Sequence, residues 1–148
     1  MTEQVLEREE TRTGLSGEQT AIRFPEGLPG FEAEDRWELV QREDVRPFLW
    51  LRSCRSPALA ILVVDPRLLV DGYAEKIPAH VADRVGAASA DGLLLLAVVT
   101  LQEGGGATVN LRAPIVVNPE RMVGVQVILD RRDLPLRHPL GVEDDGGE

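Results

Sequence analysis

The residues of this 148-residue chain that could carry chemistry are few: His80, His138, Cys54, and the side-chain amides Asn110, Asn118 and Gln126 set among apolar residues. Nucleophilic catalysis needs a serine or cysteine beside a base, and a metal site needs His, Cys or carboxylates at ligand spacing. Neither pattern occurs. There is no Cys-x-x-Cys, His-Glu-x-x-His or His-x-His, and no Gly-x-Ser-x-Gly elbow. Ser53 precedes Cys54 inside a strand-like run, and no spacing of carboxylates singles out a glycosidase-type pair. The triple glycine at 104–106 has no following lysine or helix, so it reads as a hairpin loop and not as a phosphate cradle. The sequence therefore predicts no catalytic residue, no metal ligand and no cofactor. The ordinary use of a lone Cys54 is as a small hydrophobe in a core. His80 opens a predicted helix as a solvated residue, and His138 is expected to pack its ring on the last turn and bond a carbonyl. The amides remain, with two uses. They can cap the backbone of a bound peptide, or satisfy bulge and turn backbone beside Pro114 and Pro119.

Composition narrows the partners. Hydrophobic residues make up 43% and charged residues 28%, as in a folded domain, and the length suits one core. A net charge of -9 repels phosphate backbones, and 4% aromatics are too sparse for a base-stacking platform, so no direct nucleic-acid partner is expected. The longest apolar run, Leu93 to Val99, falls far short of the ~20 residues of a spanning helix, so no membrane is expected either. Nothing at the start reads as a secretion signal, and a single cysteine fits a reducing cytoplasm. The acidity sits at the ends: residues 1–21 carry a net -3 and residues 141–148 a net -4, leaving -2 between them. Both ends are poor in large apolar groups. Hence 1–21 is expected to be a flexible acidic N-terminal arm, 22–140 the folded domain, and 141–148 a disordered acidic tail. Such ends keep a protein soluble, or attract a basic partner.

The elements that must position the amides are mostly strands. Thr20 to Phe24 reads as the first, stopped by Pro25-Glu26-Gly27-Leu28-Pro29-Gly30, where prolines and glycines demand a turn. Trp37 to Gln41, Arg46 to Ser53 and Leu59 to Val64 follow, the last closed by Asp65-Pro66. Residues 67–75 suit either a short helix or an extended piece. The spacing of Val81, Val85 and Ala88 predicts a helix over 79–89, weakened by Gly86. Leu93 to Leu101 and Ala107 to Leu111 form a hairpin around Gln102–Gly106; Pro114 interrupts, so Ile115–Val117 resumes as an edge or after a bulge. Met122 to Leu129 alternates apolar and polar residues as a last strand. The prediction is a mainly β chain, a compact antiparallel β-barrel-like domain with one or two short helices.

The punctuation of the chain is itself informative. Ile22-Arg23-Phe24-Pro25-Glu26-Gly27-Leu28-Pro29-Gly30-Phe31-Glu32 resembles the N-terminal signature of the flagellar assembly factor FliW family. Thr108-Val109-Asn110-Leu111-Arg112-Ala113-Pro114-Ile115-Val116-Val117-Asn118 is similar to that family's most specific motif. Pro47 to Ser53, Leu59 to Pro66, Gln126 to Leu129 and Arg137-His138-Pro139-Leu140 complete the order. One departure is Leu134-Pro135-Leu136, where the family usually has an aromatic before the Arg-His pair.

The resemblance implies a non-enzymatic cytoplasmic protein that binds newly made flagellin as a chaperone. It also implies binding of the translational repressor CsrA, relieving repression of flagellin mRNA. The two partners would compete, so that export of flagellin frees the factor to restore translation. The resemblance further implies that a flagellin segment is received as an amphipathic helix in a groove. Candidate partner-contacting residues are Leu28, Pro29 and Phe31 on the proline-glycine loop, Asn110, Pro114, Asn118 and Gln126 around the interrupted strands, and His138. The competing reading is a small β-barrel ligand-binding protein or enzyme with an internal pocket.

Overall fold

β-branched runs bounded by Pro, Gly and Asn pair edge to edge, and enough of them in sequence can close on themselves. The computed structural model describes residues 11–12 and 21–140. The strands are β1 (Thr11–Arg12), β2 (Ile22–Arg23), β3 (Arg36–Gln41), β4 (Leu49–Ser53), β5 (Ala60–Val64), β6 (Leu94–Leu101), β7 (Ala107–Val109), β8 (Ile115–Asn118), β9 (Val123–Gln126) and β10 (His138–Pro139). Seven of them close a ring in the order β6-β5-β4-β3-β2-β9-β8, with β8 returning to β6. β7 and β10 extend from the far half of β6, and β1 pairs with the end of β3.

The barrel is as predicted, with one correction to its being antiparallel. β2 and β9 run parallel at Arg23↔Val123, while the other pairings of the ring are antiparallel. The cause is parity: strands that alternate in direction cannot close a ring with an odd number of members unless one neighbouring pair runs the same way.

Alternation then fills two cores. Trp37, Leu39, Leu51, Val63, Leu96, Ile115 and Val117 point into the barrel with Ile22 and Phe24. The opposite faces of β6, β8 and β9 present Leu95, Ala97, Val116 and Val125 to a second cluster containing Tyr73, Ile77, Val81, Val85, Leu129 and Leu134. β6 belongs to both, which is why its sequence is an unbroken apolar run.

Several boundaries move inward. The predicted 79–89 helix is only α1 (His80–Arg84). Gly86 takes φ +73, its N–H donates to Asp83 O and that of Ala87 to Ala82 O, so the left-handed residue ends the helix after barely a turn. The ambiguous 67–75 stretch contains two 3-10 turns, Pro66–Leu68 and Tyr73–Lys76. The strand predicted over Arg46–Ser53 starts at Leu49, because Glu43–Val45 is a 3-10 turn and the Phe48 N–H is turned back to donate to Val45 O at 2.7 Å. Ladder pairing of the last strand stops at Gln126, although Val127 and Leu129 keep the alternation by bonding Pro114 O and Arg112 O. Pairing in β7 likewise stops at Val109. Of the predicted first strand, Ile22–Arg23 is paired and Thr20 lies outside the described residues, as do most of the acidic arm and all of the tail.

A groove at the mouth of the barrel

The proline-glycine loop forms one wall. Leu28, 2% exposed, drops into the barrel core, and the Phe31 N–H donates to Leu28 O at 2.8 Å, which turns the chain back. Phe31 stands edge-on to Trp37, ring centroids 5.9 Å apart, and Pro29 is exposed at the rim. Glu26 anchors the loop to α1 through Arg84 at 2.6 Å. The loop is thus folded onto the core as a lid, not held away from it.

The floor is built by the interruption at Pro114. Val99 lies opposite Val109, and Leu96 opposite Ile115, so three residues along β6 match six along its partner. Three residues are therefore extra, and the strand resumes after a bulge, not as an edge. Asn110 holds this bulge: its Oδ1 accepts from the N–H of Arg112 at 3.0 Å and of Ala113 at 3.1 Å. Gln126 Nε2 donates to Ala113 O at 2.9 Å. Tyr73 donates its hydroxyl to Leu111 O at 2.6 Å from the other core. Burial pushes the Tyr73 phenol well above its ordinary range, so it stays a donor.

The second wall is Trp50 on β4, Ala60, Ile61 and Leu62 on β5, and Val98 to Leu101 on β6. Together these surfaces enclose a groove of about 570 Å³ with no charged side chain among its lining residues. It lies over a barrel interior already filled by Phe24, Trp37 and Leu51. A neighbouring hollow continues it along Leu101, Leu136 and Arg137; Leu101 is 68% and Leu136 52% exposed.

Of the candidate residues, Leu28, Pro29, Phe31, Asn110 and Gln126 line this one groove. Pro114 is buried behind it. Asn118 is buried elsewhere, its Nδ2 donating to Val85 O at 2.9 Å and its Oδ1 accepting from the Glu120 N–H at 3.0 Å. His138 lies in β10 opposite Val109. His80 starts α1 and is exposed, as predicted. Cys54 is exposed, against the expectation of a core position. It follows the last residue of β4, past the paired part of the strand. Sequence reasoning missed Trp50, Ile61, Leu62 and the end of β6. The available signal was length, since an eight-residue apolar strand beside a five-residue one cannot be paired throughout.

Among the described residues, no group of three or more His, Cys, Asp or Glu is placed to hold a metal ion. Among the same described residues, no helix is long and apolar enough to cross a membrane.

Residues 7–140 match the family described as FliW protein. The chain is 37% identical over 123 residues to the flagellar assembly factor FliW of Geobacter sulfurreducens, covering 82% of this chain and 77% of that one. It is likewise 37% identical over 122 residues to that of Thermotoga neapolitana, covering 81% and 82%. A crystal structure of the flagellar assembly factor FliW superposes with a TM-score of 0.74 at 28% identity, over 85% of this chain and 89% of that one. Barrel, bulge motif and loop signature together place this chain in the FliW family of flagellar assembly factors.

Proposed function

We propose that this flagellar assembly factor acts in the cytoplasm without catalysis, by being held in turn by two proteins. Bound to flagellin, it serves as a chaperone for the unassembled subunit. Released from flagellin, it binds CsrA and lifts the block on flagellin translation. The exchange needs no energy source: two complexes compete for one factor, and the concentration of free flagellin sets the balance. The observation that carries this reading is family membership over residues 7–140. The groove adds support, since it is apolar at its base, walled by a rigid loop and fitted with amides, a surface suited to a protein segment.

The test is co-elution. Purified protein should co-elute with monomeric flagellin and, separately, with CsrA, and added flagellin should displace CsrA. Absence of both complexes at micromolar concentration would sink the proposal, and a stable ternary complex would sink the exchange.

A further inference from the structure

β5 and β6 separate before either ends. Their last rung is Val63↔Val98; among the described residues no rung joins Leu62 to Val99 or Ala60 to Leu101. In an antiparallel ladder, alternate residues turn their N–H and C=O toward opposite neighbours. Ser53 N–H donates to Leu59 O, so the odd residues of β5 face β4 and Ala60 and Leu62 face the gap. Asn110 N–H donates to Val98 O and Gln102 N–H to Gly106 O, so the even residues of β6 face β7 and Val99 and Leu101 face the gap. Val63 and Val98 face away from each other, so their rung is closed by the flanking bond from the Val99 N–H to Leu62 O. Beyond it, among the described residues, the Leu62 N–H, the Val99 carbonyl and both groups of Ala60 and Leu101 are open. Two open edges thus converge on the groove. Neither carries a proline or a charge, whereas the outer strand β10 is blunted by Pro139.

We infer that this gap is a strand-addition site, and that it receives an extended apolar segment of flagellin, paired through its main chain to Ala60 and Leu101. The inference rests on the flagellin-binding reading above. Hydrogen-bond complementarity selects the occupant. A helix uses its own backbone groups internally and cannot satisfy an open edge, while an extended chain presents donors and acceptors at the matching spacing. The open stretch of β5 is Ala60 to Leu62, roughly 10 Å, enough for a segment of about three to four residues. Alternate side chains of that segment would face the barrel mouth over Leu28. There Asn110 and Gln126 each spend one side of the amide on the bulge, leaving the Asn110 Nδ2 donor and the Gln126 Oε1 acceptor toward the groove.

Amide hydrogen exchange on the full-length protein, with and without unlabelled monomeric flagellin, decides the matter. The expected result is at least about tenfold slower exchange at the Ala60, Leu62 and Leu101 amides in the complex. A second measurement uses Leu101→Pro, which removes a gap-facing N–H at an exposed position. It should weaken flagellin binding by about tenfold or more while Leu101→Ala costs much less, with thermal unfolding of both compared to separate folding from binding. Binding with unchanged exchange at these amides, as a helix lying across the groove would give, overturns strand addition and leaves the flagellin reading standing. Failure to bind flagellin at all removes both.

Discussion

Asn110 and Asn118 are the same residue type in the same motif, yet their surroundings assign them different work. Asn118 is 4% exposed and spends both ends of its amide on backbone, joining the end of α1 to the turn before β9. Its replacement by alanine leaves the carbonyl of buried Val85 without its partner and releases the Glu120 N–H of the following turn, so Asn118→Ala should lower unfolding free energy by about 1–3 kcal/mol in urea titration. Flagellin affinity of the folded fraction should be unchanged. Tyr73 makes a comparable link, and burial holds its phenol neutral far into alkaline solution. The sign follows from linkage. The folded pKa is raised above the ordinary 10.0, so this contribution is complete below pH 10 and is lost as pH climbs toward the folded value. Unfolding midpoints should therefore fall above pH ~10 in the parent, and less steeply in Tyr73→Phe. An equal alkaline slope in both would place the titration elsewhere.

Among the elements, β9 shows how one residue decides whether the ring can close. A Cβ built on Gly124 would lie 2.7 and 2.8 Å from the ring carbons of Phe24, itself 1% exposed and locked in the barrel core. The glycine lets Phe24 lie directly against the strand beside the single parallel pairing. Gly124→Ala should cost about 1–3 kcal/mol, read from chemical denaturation, because a buried ring has no room to withdraw. Conversion without loss would show that the barrel relaxes at that seam. The same seam marks the limit of what period-two patterning conveys. β-branched content made β5 and β6 legible, and Pro114, a residue that cannot pair, marked an interruption to be either an edge or a bulge. The direction of β2 against β9 is not a local property; it follows only when the strands are counted around the closed ring. The groove was half legible for a related reason. Its loop and amides announce themselves by residue type, whereas the divergence of β5 from β6 is a mismatch between two strands some thirty residues apart. The helix was overread because Val81 and Val85 keep helical spacing while Gly86 ends the turn between them and Ala88.

At the scale of the whole molecule, charge and shape are separated. The groove walls carry no charged side chain, while seven of the nine net negative charges belong to residues 1–21 and 141–148. An RNA-binding repressor presents basic surface to its own ligand, so under the proposed exchange the acidic ends would act on the approach of CsrA and the apolar groove on a protein segment once seated. Attraction of this kind raises association rate more than it slows dissociation. It also fades within a screening length of about 8 Å at physiological ionic strength. Stopped-flow association with CsrA should therefore slow several-fold as salt rises from low to physiological, with a dissociation rate that changes little. Neutralising Glu143, Asp144, Asp145 and Glu148 to their amides should reproduce part of that slowing at low salt and flatten the dependence. Flagellin binding through the groove should respond far less to either change. If the association rate with CsrA is indifferent to both salt and tail charge, attraction by the acidic ends plays no part, and recognition of the repressor must be sought on the nearly neutral surface of residues 22–140.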